Sequence, residues 1–190
     1  MPDPAASPAP SAPRARAKRG TPDGPPGPWV LVAAWGPCGY VPIAPGTAGT
    51  LGAIPLFWLL RHLPLPLYLL TLAAFVAVAV FAAGVAGRYW KVADASPIVV
   101  DEVAGYLVTM ALVPWSWGAA AAGFLLFRLF DVVKPWPASA FDRVKSGFGV
   151  VMDDVAAGVW SWLALLVLQL ALRSLAGCAS SHWWCLELLP

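Results

Sequence analysis

The stretch VAGYLVTMALVPWSWGAAAAGFLLF, residues 103–127, carries no charged side chain over 25 positions. A membrane-spanning helix needs only about 20 apolar residues, so one span would fit. Pro114, followed by Trp115, Ser116 and Trp117, argues against it. Proline ends or kinks a helix, and tryptophans collect where membrane meets water, so Pro-Trp-Ser-Trp-Gly reads as an interfacial turn. The stretch then divides into two short helices, 101–113 and 117–133, reaching roughly 20 and 25 Å against a hydrocarbon core of about 30 Å.

The flanking sequence is of the same kind. Residues 65–87 are charge-free over 23 positions and 155–172 over 18, each long enough to cross a bilayer. Residues 48–60 form a further short apolar helix that ends at Arg61–His62–Leu63–Pro64. Basic residues test the division. With the N-terminus in the cytoplasm and five segments crossing, only Arg61 and Arg173 lie outside. The other ten of the twelve Lys and Arg residues lie inside, as the positive-inside rule prefers. One helix over 103–127 would instead place Lys134, Arg143 and Lys145 outside. The sequence therefore predicts an all-α, polytopic integral membrane helical bundle with several short or re-entrant helices.

Composition agrees. The 190 residues are 59% hydrophobic and 12% charged, with a mean hydropathy of +0.71, against roughly 45–50% and about 25% in a soluble domain. An ordinary water-soluble enzyme is excluded. A net charge of +2 gives little support for a nucleic-acid partner. Residues 1–28, with nine prolines and a basic run of Arg14, Arg16, Lys18 and Arg19, read as a disordered tail. The membrane domain is expected over 29–173, with a C-terminal tail at the interface over 174–190. Cys38, Cys178 and Cys185 show no metal-ligand spacing.

Seven of the ten acidic residues lie between positions 94 and 154, in or beside apolar sequence where a carboxylate costs several kcal/mol. They group as Asp101–Glu102, Asp131, Asp142 and Asp153–Asp154. On the five-segment topology every group falls at a cytoplasmic helix end, so four separate stretches bring six carboxylates to one face. Such a cluster repels itself unless cations stand among it. Oxygen-only ligands suit a hard cation, and magnesium suits carboxylates beside phosphate. Arg128, Lys134 and Arg143 suit the phosphate. These parts fit metal-assisted phosphoryl chemistry at a lipid surface.

Each part also has a plainer reading. Asp101–Glu102 and Asp153–Asp154, taken as helix N-termini, would be favoured by the helix dipole alone. Arg128 and Asp131, three residues apart, form an ordinary helical ion pair, and Asp142–Arg143 reads as a solvated loop pair. The glycine-rich piece at 44–51 lacks the Lys-Ser/Thr ending of a nucleotide-binding loop. Thr47, Thr50 and a helix N-terminus there can hold phosphate, or simply cap and pack. It is the joint pattern that favours a site. His62 and His182 lie away from it, which disfavours a phosphohistidine route.

Four stretches carry a resemblance: APGTAGTLGAIPLFWLL at 44–60, SPIVVDEVAGYLVT at 96–109, GFLLFRLFDVVKPWP at 123–137 and FDRVKSGFGVVMDDVAAG at 141–158. In order and spacing, from about residue 36 to 173, the chain resembles the bacterial phosphatidylglycerophosphatase A family. Ser146, where glycine is common, and Val100 depart from the pattern without touching the proposed chemistry. The resemblance implies hydrolysis of phosphatidylglycerophosphate to phosphatidylglycerol and phosphate, with Mg2+, in the bacterial cytoplasmic (inner) membrane and with the site facing the cytoplasm. The family's acidic positions fall on Asp101, Glu102, Asp131, Asp142, Asp153 and Asp154, and its basic ones on Arg128, Lys134 and Arg143.

The division of roles is our assignment. Asp101, Glu102, Asp131 and Asp154 are taken as Mg2+ ligands, and Asp153, as base, and Asp142 as the catalytic pair. Arg128, Lys134, Arg143, Thr47 and Thr50 are assigned to the substrate phosphate. The partners expected are the lipid substrate and membrane lipids; nothing in the sequence indicates a protein partner. The rival from another class is an ion or solute transporter with a carboxylate-lined cation site. Against it, the acids gather at one face rather than the midplane where transporters bind, and no internal repeat is evident.

Overall fold

The computed structural model describes residues 20–22 and 24–175, and these are helical with no strand among them. In chain order the helices are α1 (Pro28–Ala33), α2 (Pro45–Leu60), α3 (Leu65–Tyr89), α4 (Val100–Thr109), α5 (Trp117–Val133), α6 (Ala138–Phe141) and α7 (Gly147–Leu175), with a 3-10 turn at Cys38–Tyr40 between α1 and α2. Two of them, Leu65–Tyr89 and Gly147–Leu172 within α7, are long and apolar enough to cross a membrane. Most of the N-terminal tail (1–19 and 23) and of the C-terminal one (176–190), with Cys178, His182 and Cys185, lies outside the described residues.

The break at Pro114 is present. α5 starts where Ser116 Oγ accepts the Ala119 amide at 2.9 Å, the side-chain cap that satisfies an orphan N–H. α4 stops at Thr109, four residues short of the expected 113, because Met110 leaves helical geometry and Leu112 turns left-handed at φ 64°. At ten residues α4 is roughly 15 Å long, half a hydrocarbon core. Nine of its ten residues are buried, with α2, α3, α5 and α7 packed around it.

Two further boundaries differ from expectation. Pro45 occupies the first turn of α2 behind a left-handed Ala44, so the glycine-rich piece is the start of the helix, not a loop before it. Proline's fixed φ and missing N–H suit that position. α7 begins at Gly147, not at Asp153–Asp154, and Ser146 Oγ accepts the Gly149 amide at its start. The stretch 134–152, left without a helix between the fourth and fifth expected segments, thus contains α6 and the first turns of α7. α1 was not anticipated either. Just before it, Gly20 N donates to Trp90 O at 3.0 Å and Tyr89 Oη to Gly24 O at 2.8 Å.

The bundle has distinct ends. At one, Arg61 lies 5.7 Å from both the Trp58 and Trp115 ring centres, and Phe57 meets Trp115. There the α2–α3 and α4–α5 turns meet. Tyr68, buried at the start of α3, donates its hydroxyl to Leu107 O at 2.7 Å, satisfying a carbonyl at the end of α4 that the helix leaves orphaned. Tyr68→Phe is therefore expected to destabilise the protein by about 1 kcal/mol, read as a lowered unfolding midpoint in detergent with turnover retained. Outward, α3, α5 and α7 expose Leu70, Phe81, Leu125, Leu129, Val167 and Leu170, an apolar surface suited to lipid.

Candidate active site

The other end of the bundle gathers the polar residues. The first turn of α4 supplies Asp101 and Glu102, 1% and 2% exposed, and α7 supplies Asp153 and Asp154, at 5% and 2%. Because α7 starts at Gly147, Asp153 and Asp154 stand in its second turn. The stabilisation that a helix dipole gives an acid fades within the first turn, so capping does not explain this pair.

One oxygen each from Asp101, Glu102 and Asp154 lies within 4.8 Å of the others. At an effective dielectric of 20, two carboxylates at that separation repel by on the order of 3 kcal/mol. Asp154 Oδ2 is buried with no hydrogen-bond partner. A converging set of hard oxygen donors, one of them orphaned, fits a divalent cation such as Mg2+.

Cationic side chains flank the trio. Arg128, near the end of α5, approaches Glu102 Oε1 at 3.8 Å and Asp131 Oδ2 at 2.7 Å. Asp131 therefore faces Arg128 and stands outside the converging trio, though it bears electrostatically on Asp154. Lys134, the left-handed cap of α5 at φ 47°, reaches Asp142 Oδ1 at 3.2 Å and pairs with Asp153 Oδ2. Burial would lower the Lys134 pKa, but Asp153, Asp154 and Asp131 outweigh it and hold the ammonium above the ordinary lysine range. Lys145 Nζ donates to Asp142 O at 2.7 Å. Arg143 is exposed.

The start of α2 closes one side. A Cβ on Gly46 would collide with Glu102 Oε1 and come within 3.2 Å of Arg128 Nη1, so only glycine lets this backbone lie against the site. Thr47 is half-buried beside it. The Thr50 hydroxyl is fully buried and donates to Gly46 O at 2.9 Å, which commits its proton to the helix. Gly46→Ala is expected to cost little stability, since its Cβ meets side-chain ends. By displacing Glu102 it should lower turnover by on the order of 100-fold, measured as kcat beside the unfolding midpoint. Sequence reasoning passed over Asp94, which the fold brings near enough to Asp153 to act on it electrostatically. Only its place among the seven clustered acids pointed to it.

The description phosphatidylglycerophosphatase A belongs to the family model that matches residues 31–169. A protein of that name from Escherichia coli K12 is 41% identical over 138 residues, covering 70% of this chain and 79% of that protein. One from Haemophilus influenzae Rd is 34% identical over 136 residues, 69% of this chain and 82% of that one. A Bacteroides thetaiotaomicron protein with the provisional name phosphatidylinositol-3-phosphatase is 40% identical over 147 residues, 73% and 91% of the two chains. No solved structure matches. With a family model spanning residues 31–169, which include the helices that build the acidic end, and relatives 41% and 34% identical over most of both chains, the chain belongs to the phosphatidylglycerophosphatase A family of phosphatases.

Proposed function

We propose that this protein is a polytopic membrane enzyme that hydrolyses the terminal phosphate monoester of phosphatidylglycerophosphate at the cytoplasmic face of the bacterial inner membrane. The observation that carries this reading is the buried Asp101–Glu102–Asp154 trio with Arg128 at its edge. A cation site beside a guanidinium is suited to a phosphate dianion. Five crossings, by α2, α3, α4 with its turn, α5 and α7, put this end in the cytoplasm under the positive-inside rule. The acyl chains then remain in lipid while the headgroup reaches the acids.

Asp101, Glu102 and Asp154 would hold Mg2+, which when bound neutralises phosphate charge and acidifies water at the site. Arg128 and the exposed Arg143 bind phosphate oxygens, and Thr47 with the free amides at the start of α2 adds donors. A water oxygen bonds to phosphorus as the P–O bond to the glycerol headgroup breaks. Asp153 takes the water's proton and passes it to the departing glycerol oxygen, which leaves as the alcohol. Asp142 acts through Lys134. A transporter reading has no support: the carboxylates gather at one end of the bundle, not midway along it.

Phosphate release from phosphatidylglycerophosphate in detergent micelles, with and without Mg2+, tests the reading beside an Asp131→Asn control. Release that depends on Mg2+ and falls at least tenfold in the variant is the expected result. A parallel arm with phosphatidylinositol 3-phosphate, suggested by the name of the Bacteroides relative, should be slower. Faster release there would move the substrate assignment to inositol lipids.

A further inference from the structure

Lys134 is placed unlike a phosphate ligand. It caps α5 in a left-handed conformation, φ 47°, where glycine is usual and a lysine is strained. That backbone carries its ammonium between two other elements: Asp142, which follows α6, at 3.2 Å, and Asp153 of α7. An ammonium has three donors and no acceptor; here it donates to Asp153 and forms an ion pair with Asp142. Asp154 and Asp131 add to the negative field around it. Two carboxylates from separate elements converging on one positive charge, next to a carboxylate trio, make a second anionic niche beside the first, and paired divalent ions are a recurrent arrangement in phosphatases.

We propose that the Lys134 ammonium is the built-in cation of the Asp142–Asp153 pair, standing where a second divalent ion would otherwise be held. Lys134 is then a positioning residue and not a phosphate ligand. It holds Asp153 beside the trio, and the site takes one divalent ion, at Asp101, Glu102 and Asp154. The location of that ion rests on the proposed function; the charge balance at Lys134 does not.

The experiment counts Mn2+ sites by electron paramagnetic resonance on detergent-purified full-length protein. It compares the wild type, Lys134→Arg, Lys134→Gln and the double variant Lys134→Gln/Asp153→Asn. The wild type and Lys134→Arg should bind one ion. Lys134→Gln should gain one more, and the double variant should lose that gain. Inhibition by inorganic phosphate should change less than twofold in Lys134→Gln while kcat falls at least 50-fold, because a positioning role acts on turnover and not on phosphate affinity. A wild type that takes two ions overturns the proposal, whether or not Lys134→Gln folds. So does a folded Lys134→Gln with no added site, or one whose phosphate inhibition weakens tenfold. A wild type that binds no ion would defeat the metal assignment of the proposed function, while the gain of a site in Lys134→Gln still decides the role of Lys134.

Discussion

Asp154→Asn is expected to abolish phosphate release, by on the order of 1,000-fold, the scale of losing one preorganised electrostatic group, and at the same time to stabilise the ion-free protein. Both effects have one cause. Asp154 is buried within 4.8 Å of Asp101 and Glu102, with Oδ2 lacking a hydrogen-bond partner. Asparagine keeps the shape, can carry no charge beside the other two acids and offers an amide donor to them. Relief of an unsatisfied buried acceptor amounts to about 1–3 kcal/mol, which should appear as a higher unfolding midpoint without Mg2+. Adding Mg2+ should then raise the midpoint of the wild type, since a ligand that binds only the folded state stabilises it, and leave the variant unmoved. A variant that unfolds more easily than wild type, or keeps its turnover, would make Asp154 a structural acid and remove the metal site.

How far the site was legible in the sequence depends on the kind of information each residue carries. Burial of a carboxylate is costly whatever the fold, so Asp101, Glu102, Asp153 and Asp154 stood out in apolar sequence, and the split at Pro114 was needed only to bring them to one end. Pro114 and Ser116 act locally, through ring geometry and a side-chain cap, and local effects are readable. The start of α7 was not. Residues 147–152, GFGVVM, hold two glycines that lower helix propensity, yet Gly147 opens the helix packed closely against the backbone of Gly84, a contact far away in sequence. That error mattered. It made Asp153 and Asp154 look like N-terminal residues favoured by a dipole, when they stand beyond the first turn of α7, where that support has faded. Which acids converge was hidden: the spacing of Arg128 and Asp131 already suggested their ion pair, but that Asp131 stands outside the trio and that Asp94 becomes a neighbour of Asp153 follow only from the fold.

Gly158→Leu is expected to prevent folding, and Gly158→Ala to cost about 1–3 kcal/mol together with on the order of 100-fold in turnover. A Cβ on Gly158 would overlap Gly105 O and lie 3.1 Å from Val108 Cβ. One on Gly105 would overlap the Phe127 ring and lie 2.7 Å from Asp154 O. Backbone meets backbone here, so no side-chain end can swing away, and α4 and α7 must separate. Gly105 stands four residues after Asp101, and Gly158 four after Asp154. One helical turn below the acids, this glycine pair therefore sets how closely the two carboxylates approach. Small residues that bring helix backbones together are a recurrent means of packing in membranes, and here the same contact gauges the cation site. Gly84→Ala is the control. Its Cβ would meet only ordinary neighbours, Arg88 Nη1 at 3.8 Å and Gly147 Cα at 4.0 Å, so stability and turnover should stay near wild type. If Gly158→Ala lost stability but kept full turnover and Mg2+ affinity, the α4–α7 distance would not govern the site. If both fell together, with Gly84→Ala unchanged, the spacing of the acids would be set by the glycines beneath them.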